Sequence, residues 1–119
     1  MARKKTISDL PKNWQEDAIN AYKEGASDVE IRAYVLDGIS DDLWYRLIKE
    51  DETFARTIKK GKLFSQAWWE KQGRTNLKNR EFNPTTWYMN MKNRFGWRDK
   101  TEQVESTGDD NQIKFEGWD

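Results

Sequence analysis

Cysteine and histidine are both missing from the 119 residues. Without thiols there is no disulfide framework and no thiolate metal site, a composition that suits a reducing compartment. Without imidazole, the commonest general base and the commonest metal ligand are lost together. No apolar run approaches the roughly 18 residues of a membrane span. No signal-peptide pattern follows the basic start. Apolar residues are scarce at 35%, equal to the charged fraction, so a large monomeric core is not expected. Yet seven Trp, five Phe and four Tyr supply large rings. Small domains bury little surface alone, and association between copies is a common remedy.

Two further absences bear on chemistry. Gly61-Lys62 has no glycine five residues earlier, and Leu63 stands where a phosphate-cradling loop needs Ser or Thr. Asp41-Asp42 and Glu50-Asp51-Glu52 are the acidic clusters of the region expected to fold. Two-metal catalysis needs convergent carboxylates, whereas Asp41 and Asp42 are better read as favourable charge at a helix start. No nucleophile is accompanied by a base. The chain is read as a non-enzyme without metal or cofactor.

The net charge is zero but unevenly spread. Residues 1–52 carry 8 Lys and Arg against 12 Asp and Glu, residues 53–100 carry 12 against 3, and residues 101–119 carry 1 against 6. A centre this basic within a neutral chain implies a localised anionic partner.

The hydrophobic periodicity predicts an all-α fold. Residues 1–12 form a basic arm ending near Pro11, expected to be flexible. A helix over 13–24 places Trp14, Ala18, Ala21 and Tyr22 on one face, and Gly25 stops it. Ser27 followed by Glu30 is a capping box, Gly38 ends the short helix that it opens, and Ser40 caps the next. Two short helices around the Leu36–Ile39 turn give residues 13–53 the pattern of a helix-turn-helix. A longer helix is expected over 52–77. It is apolar on most of its circumference near residues 63–69, which implies cover from neighbouring subunits. Residues 54–98 are therefore read as one oligomerisation and anion-contacting region. Within it, Asn83 caps a shorter amphipathic helix with Pro84 at its first position. Phe82 can staple onto Trp87. Trp87, Tyr88, Met91 and Phe95 share a wedge of about 100°, and Trp97 can fold back toward Met91 after a left-handed Gly96. Residues 99–119 read as an acidic, disordered tail whose Ile113, Phe115 and Trp118 form a candidate docking peptide.

SQAWWEKQGR, residues 65–74, and WYMNMKNRFGWRDK, residues 87–100, together with the preceding helix-turn-helix pattern, resemble the small subunit of bacteriophage terminase. The resemblance covers about residues 28–100. It implies a viral DNA-packaging protein that assembles as a homo-oligomeric ring and binds double-stranded viral DNA. Such a ring recruits or regulates the large terminase subunit, which supplies ATPase and nuclease. It also implies a place in the host bacterial cytoplasm and not in the mature virion. On this reading Phe64, Trp68, Trp69, Trp87, Tyr88, Met91, Phe95 and Trp97 join subunits. Ile113, Phe115 and Trp118 dock on the large subunit or the portal. DNA contacts are expected from Lys59, Lys60, Lys62, Lys71, Arg74, Lys78 and Arg80, assisted by Arg3, Lys4 and Lys5. In relatives that read DNA with this motif, the second helix commonly opens with Ser followed by Arg or another polar residue. Here it opens Ser40-Asp41-Asp42, and phosphates repel carboxylates, which leaves only Arg46 and Lys49 on that helix to meet DNA. The alternative is a dimeric helix-turn-helix regulator of transcription.

Overall fold

The computed structural model describes residues 3–98; the tail and its Ile113, Phe115 and Trp118 lie outside the described residues. Every regular element described is helical. A 3-10 turn, Ile7–Asp9, precedes α1 (Trp14–Tyr22). Helix α2 (28–35) starts as an α-turn, Asp28–Glu30, and widens into a π turn over Ile31–Val35. Then come α3 (Asp41–Glu50), α4 (Glu52–Thr75) and α5 (Pro84–Phe95). Among the described residues no helix is long and apolar enough to cross a membrane.

Local chemistry sets the ends of these helices. The Ser27 hydroxyl accepts from the Glu30 amide at 3.2 Å while Glu30 Oε1 accepts from the Ser27 amide at 2.7 Å, so the capping box is complete. Ser40 accepts from the Leu43 amide at 3.2 Å, and Asp51 caps α4 through the Phe54 amide at 2.9 Å. The turn between α2 and α3 reverses through two left-handed residues, Asp37 and Gly38.

Phe54, fully buried, is the centre of the core. Its ring lies 5.3 Å from that of Trp14 in α1 and meets Trp44 of α3 edge-on at 5.5 Å. Ala18, Tyr22, Ile31, Leu36, Leu47 and Ile58 complete the cluster. The first half of α4 is thus a wall of the same core as α1 and α3. The expected boundary between residues 53 and 54 is incorrect for this reason: the compact units meet at Lys78 and Asn79 instead. The arm also departs from expectation. From Arg3 onward it is fastened by the Thr6–Asp9 capping box, and Ile7 and Leu10 pack against the core.

Two glycines allow α4 to approach α1. A Cβ on Gly61 would overlap the Tyr22 ring, and one on Gly25 would overlap Trp68. Gly25 also has φ +91°, a conformation that side chains with a Cβ avoid.

In the second unit, the Phe82 and Trp87 rings stand 6.2 Å apart across the Asn83 cap. The Trp97 amide donates to the Met91 carbonyl at 3.4 Å past Gly96, and Trp97 meets Trp87 edge-on at 5.4 Å. The staple and the folded-back cap are both present.

Gly61→Ala sets two effects against each other. Helix propensity favours alanine by up to about 1 kcal/mol, while overpacking costs about 1–3 kcal/mol. The rigid Tyr22 ring makes the clash dominant, so the variant is expected to unfold at lower urea concentration. An unchanged or higher midpoint would show that the two helices separate freely.

Candidate nucleic-acid interface

The residues of α4 divide by angle. At 100° per residue, Phe54, Ile58, Gly61 and Ser65 face the core, and all are buried. On the opposite side, a wedge of about 120° holds Arg56, Lys59, Lys60, Leu63, Ala67, Glu70, Lys71 and Arg74, all exposed. Among the described residues, no carboxylate pairs with Lys59, Lys60, Lys71 or Arg74. Arg56 is engaged with Glu52 of the same helix at 3.2 Å, and Glu70 accepts from Gln66 at 3.0 Å.

Lys23 joins this surface from the end of α1. Its Nζ lies 5.0 Å from the centre of the Phe64 ring, while Lys60 Nζ lies 5.9 Å from the same ring. One ring therefore has two ammonium groups within 6 Å of its centre, and no carboxylate among the described residues pairs with either. Phe64 packs partly against the core and so fixes this pair to the folded scaffold. Sequence reading missed Lys23 because it stands alone in an acidic segment; only packing brings it to Lys60.

Several nominated cations are paired with acids at the surface of the fold. Lys62 points to the flank of α4 and pairs with Asp28 at 3.2 Å. The other oxygen of that carboxylate accepts from the Tyr22 hydroxyl at 2.7 Å. Lys62 is thereby a structural pin between α4 and α2. Arg3 forms a two-pronged contact with Asp9, and Lys4 stands 3.5 Å from Glu50. Arg46 donates to the Lys5 carbonyl at 2.8 Å and approaches Glu50 at 3.7 Å. These groups hold the arm against α3, so Arg46 is no free phosphate contact. Lys49 is exposed, beside exposed Asp41, Asp42 and Tyr45 on the outer face of α3. Lys78 is exposed at the end of the first unit, and Arg80 is exposed in the second.

The nominated interface rings also divide. Trp69 donates its indole N–H to the Gly25 carbonyl at 2.8 Å, Ser65 donates to the Ala26 carbonyl at 2.9 Å, and Trp68 stacks edge-on with Trp69 at 5.1 Å. The apolar girdle near residues 63–69 is therefore covered on one side by the chain's own turn between α1 and α2, while Leu63 and Ala67 remain exposed. Phe64, Trp68 and Trp69 are each half-buried within one chain. Met91 is fully buried within one chain and has no surface to present to a second. Trp87, Tyr88, Phe95 and Trp97 are half-buried. Lys92 lies 5.7 Å from the Tyr88 ring and Arg94 lies 5.0 Å from the Phe95 ring.

A cleft of about 820 Å³ opens between the arm and the turn that joins α2 to α3. Ile39 and Leu43 line it, but its charges alternate between Lys5 and Arg46 on one hand and Asp37 and Asp42 on the other, so it selects neither sign of ligand. No three His, Cys, Asp or Glu side chains among the described residues could hold a metal. No protein-family model, curated protein or solved structure matches the chain.

The arm has a titration signature. Hydrogen bonding from Arg3, then from the Thr6 amide, lowers the Asp9 pKa to about 2. A depressed carboxylate stabilises the docked arm above its ordinary value near 4, and the contribution is lost as pH falls through about 2. In carboxyl-detected NMR, Asp9 is expected to titrate near 2 and to move toward 4 in Arg3→Gln. A wild-type midpoint near 4 would mean that the arm is not held this way.

Proposed function

We propose that this protein is a DNA-binding packaging subunit of the bacteriophage terminase small-subunit type, acting on double-stranded viral DNA in the host cytoplasm as a ring-like homo-oligomer. The observation that carries this reading is the outer face of α4, where Lys59, Lys60, Lys71 and Arg74 stand exposed without acidic partners among the described residues, with Lys23 beside Lys60 on the Phe64 ring. Unpaired cations on a rigid helix attract phosphates and release counterions from nucleic acid. They position a duplex without reading its bases.

The resemblance in residues 65–74 and 87–100 supplies the packaging role and the partner classes. Residues 28–50 carry the helix-turn-helix reading. The outer face of α3 carries Asp42 and Tyr45 beside its one exposed cation, Lys49, with Asp41 paired to Arg32, which favours placing the duplex on the cation-rich α4. The same acidic face counts against the alternative regulator, whose second helix would have to enter a groove lined by phosphates. Association between copies is assigned to the partly uncovered rings of Trp87, Tyr88, Phe95 and Trp97, which leaves the α4 cations available to DNA. On this reading the chain itself is not an enzyme. The ATPase and nuclease belong to the large subunit, which the ring recruits or regulates.

Lys59→Glu with Lys60→Glu is expected to lower duplex affinity by about fiftyfold or more at 0.1 M salt, since each lost phosphate contact costs roughly eightfold there. The native mass should not change. Trp87→Ala should shift the native mass spectrum toward smaller species while the monomer keeps its helical signal. Unaltered DNA binding in the first variant rejects the α4 assignment. Unaltered mass in the second rejects the α5 assignment.

A further inference from the structure

The α4 cations are not evenly spaced. Lys59 and Lys60 form one group, Lys71 and Arg74 another, and Leu63 and Ala67 occupy the wedge between them. At 1.5 Å rise per residue the groups stand about 17 to 22 Å apart along the helix axis. The first is reinforced by Lys23 across Phe64. The interval is rigid: Gly61 lies against Tyr22, and Ser65 and Trp69 are bonded to the turn after α1, so α4 is braced from behind throughout it.

Resting on the nucleic-acid reading above, we infer that α4 lies across the major groove of a duplex, with Lys59 and Lys60 on the phosphates of one strand and Lys71 and Arg74 on those of the other. The major groove of B-DNA is about 12 Å wide, and cation groups 17 to 22 Å apart bracket that opening, each on an outer rim. The intervening side chains are short and uncharged at Leu63 and Ala67, so the middle of the helix can approach the groove without placing an acid over it. Glu70, at the edge of the second group, is turned to Gln66. A single strand has no fixed distance between two phosphate rows and would respond only to the number of charges. The surface is thus selective for duplex form and indifferent to base sequence.

The test separates spacing from charge. Ala67→Lys combined with Lys71→Gln keeps the net charge and shortens the axial distance from Lys60 to the first lysine of the second group from about 17 to about 11 Å. Full-length wild type and variant are titrated, by fluorescence anisotropy at 0.1 M salt, against a 20-base-pair duplex and a single strand of equal length. Wild type is expected to prefer the duplex. The relocated variant should lose about eightfold in duplex affinity, the equivalent of one phosphate contact, and keep its single-strand affinity. Lys71→Gln with Arg74→Gln, assayed for folding by circular dichroism, should lower the duplex salt slope by about 1.8. Equal duplex binding by wild type and relocated variant overturns the groove-crossing geometry and leaves the nucleic-acid assignment standing. Absence of duplex binding by wild type overturns both.

Discussion

Phe54 is the residue through which the first unit is assembled. It enters from the first turn of α4, and its ring is enclosed by Trp14 of α1 and Trp44 of α3. Three helices thus share one buried contact. With so little apolar material in the chain, the core depends on a few large rings and not on many aliphatic layers. Aromatic pairs add about 0.5–1.5 kcal/mol beyond their area burial, a substantial share of the marginal stability of a small domain.

The approach of α4 to α1 follows from the same arrangement. Once Phe54 sets one end of α4, Gly61 permits the Tyr22 ring to lie directly on the helix backbone. The Tyr22 hydroxyl then reaches Asp28, and Asp28 takes Lys62. This relay ties α1, α2 and α4 together and removes one lysine from the outer surface. Among the described residues, no carboxylate pairs with Lys59, Lys60, Lys71 or Arg74 on the opposite side of the helix.

Features confined to four or five consecutive residues were legible in the sequence. The Ser27–Glu30 box, the Ser40 and Asn83 caps, the Phe82–Trp87 staple and the stop after Phe95 all depend on local spacing, and all are present. Positions that depend on contacts between distant segments were not legible. Lys62 looked equivalent to Lys59 and Lys60 until Asp28, 34 positions earlier in the chain, was brought beside it. Periodicity likewise cannot reveal that Trp69 bonds the Gly25 carbonyl or that Trp68 lies against Gly25. The basic arm was read as mobile because Arg3 and Asp9 pair only once Thr6 has turned the backbone. Lys23 escaped notice for the complementary reason, being isolated in sequence and grouped only in space.

Helix α4 serves two masters along its whole length, and they tie its residue count to its function. Inserting a single residue between Gly61 and Lys71 would rotate everything beyond it by about 100°. Trp69 would swing away from the Gly25 carbonyl, and Lys71 and Arg74 would leave the side occupied by Lys59 and Lys60. Divergence in this segment is therefore restricted to exchanging side chains at constant length.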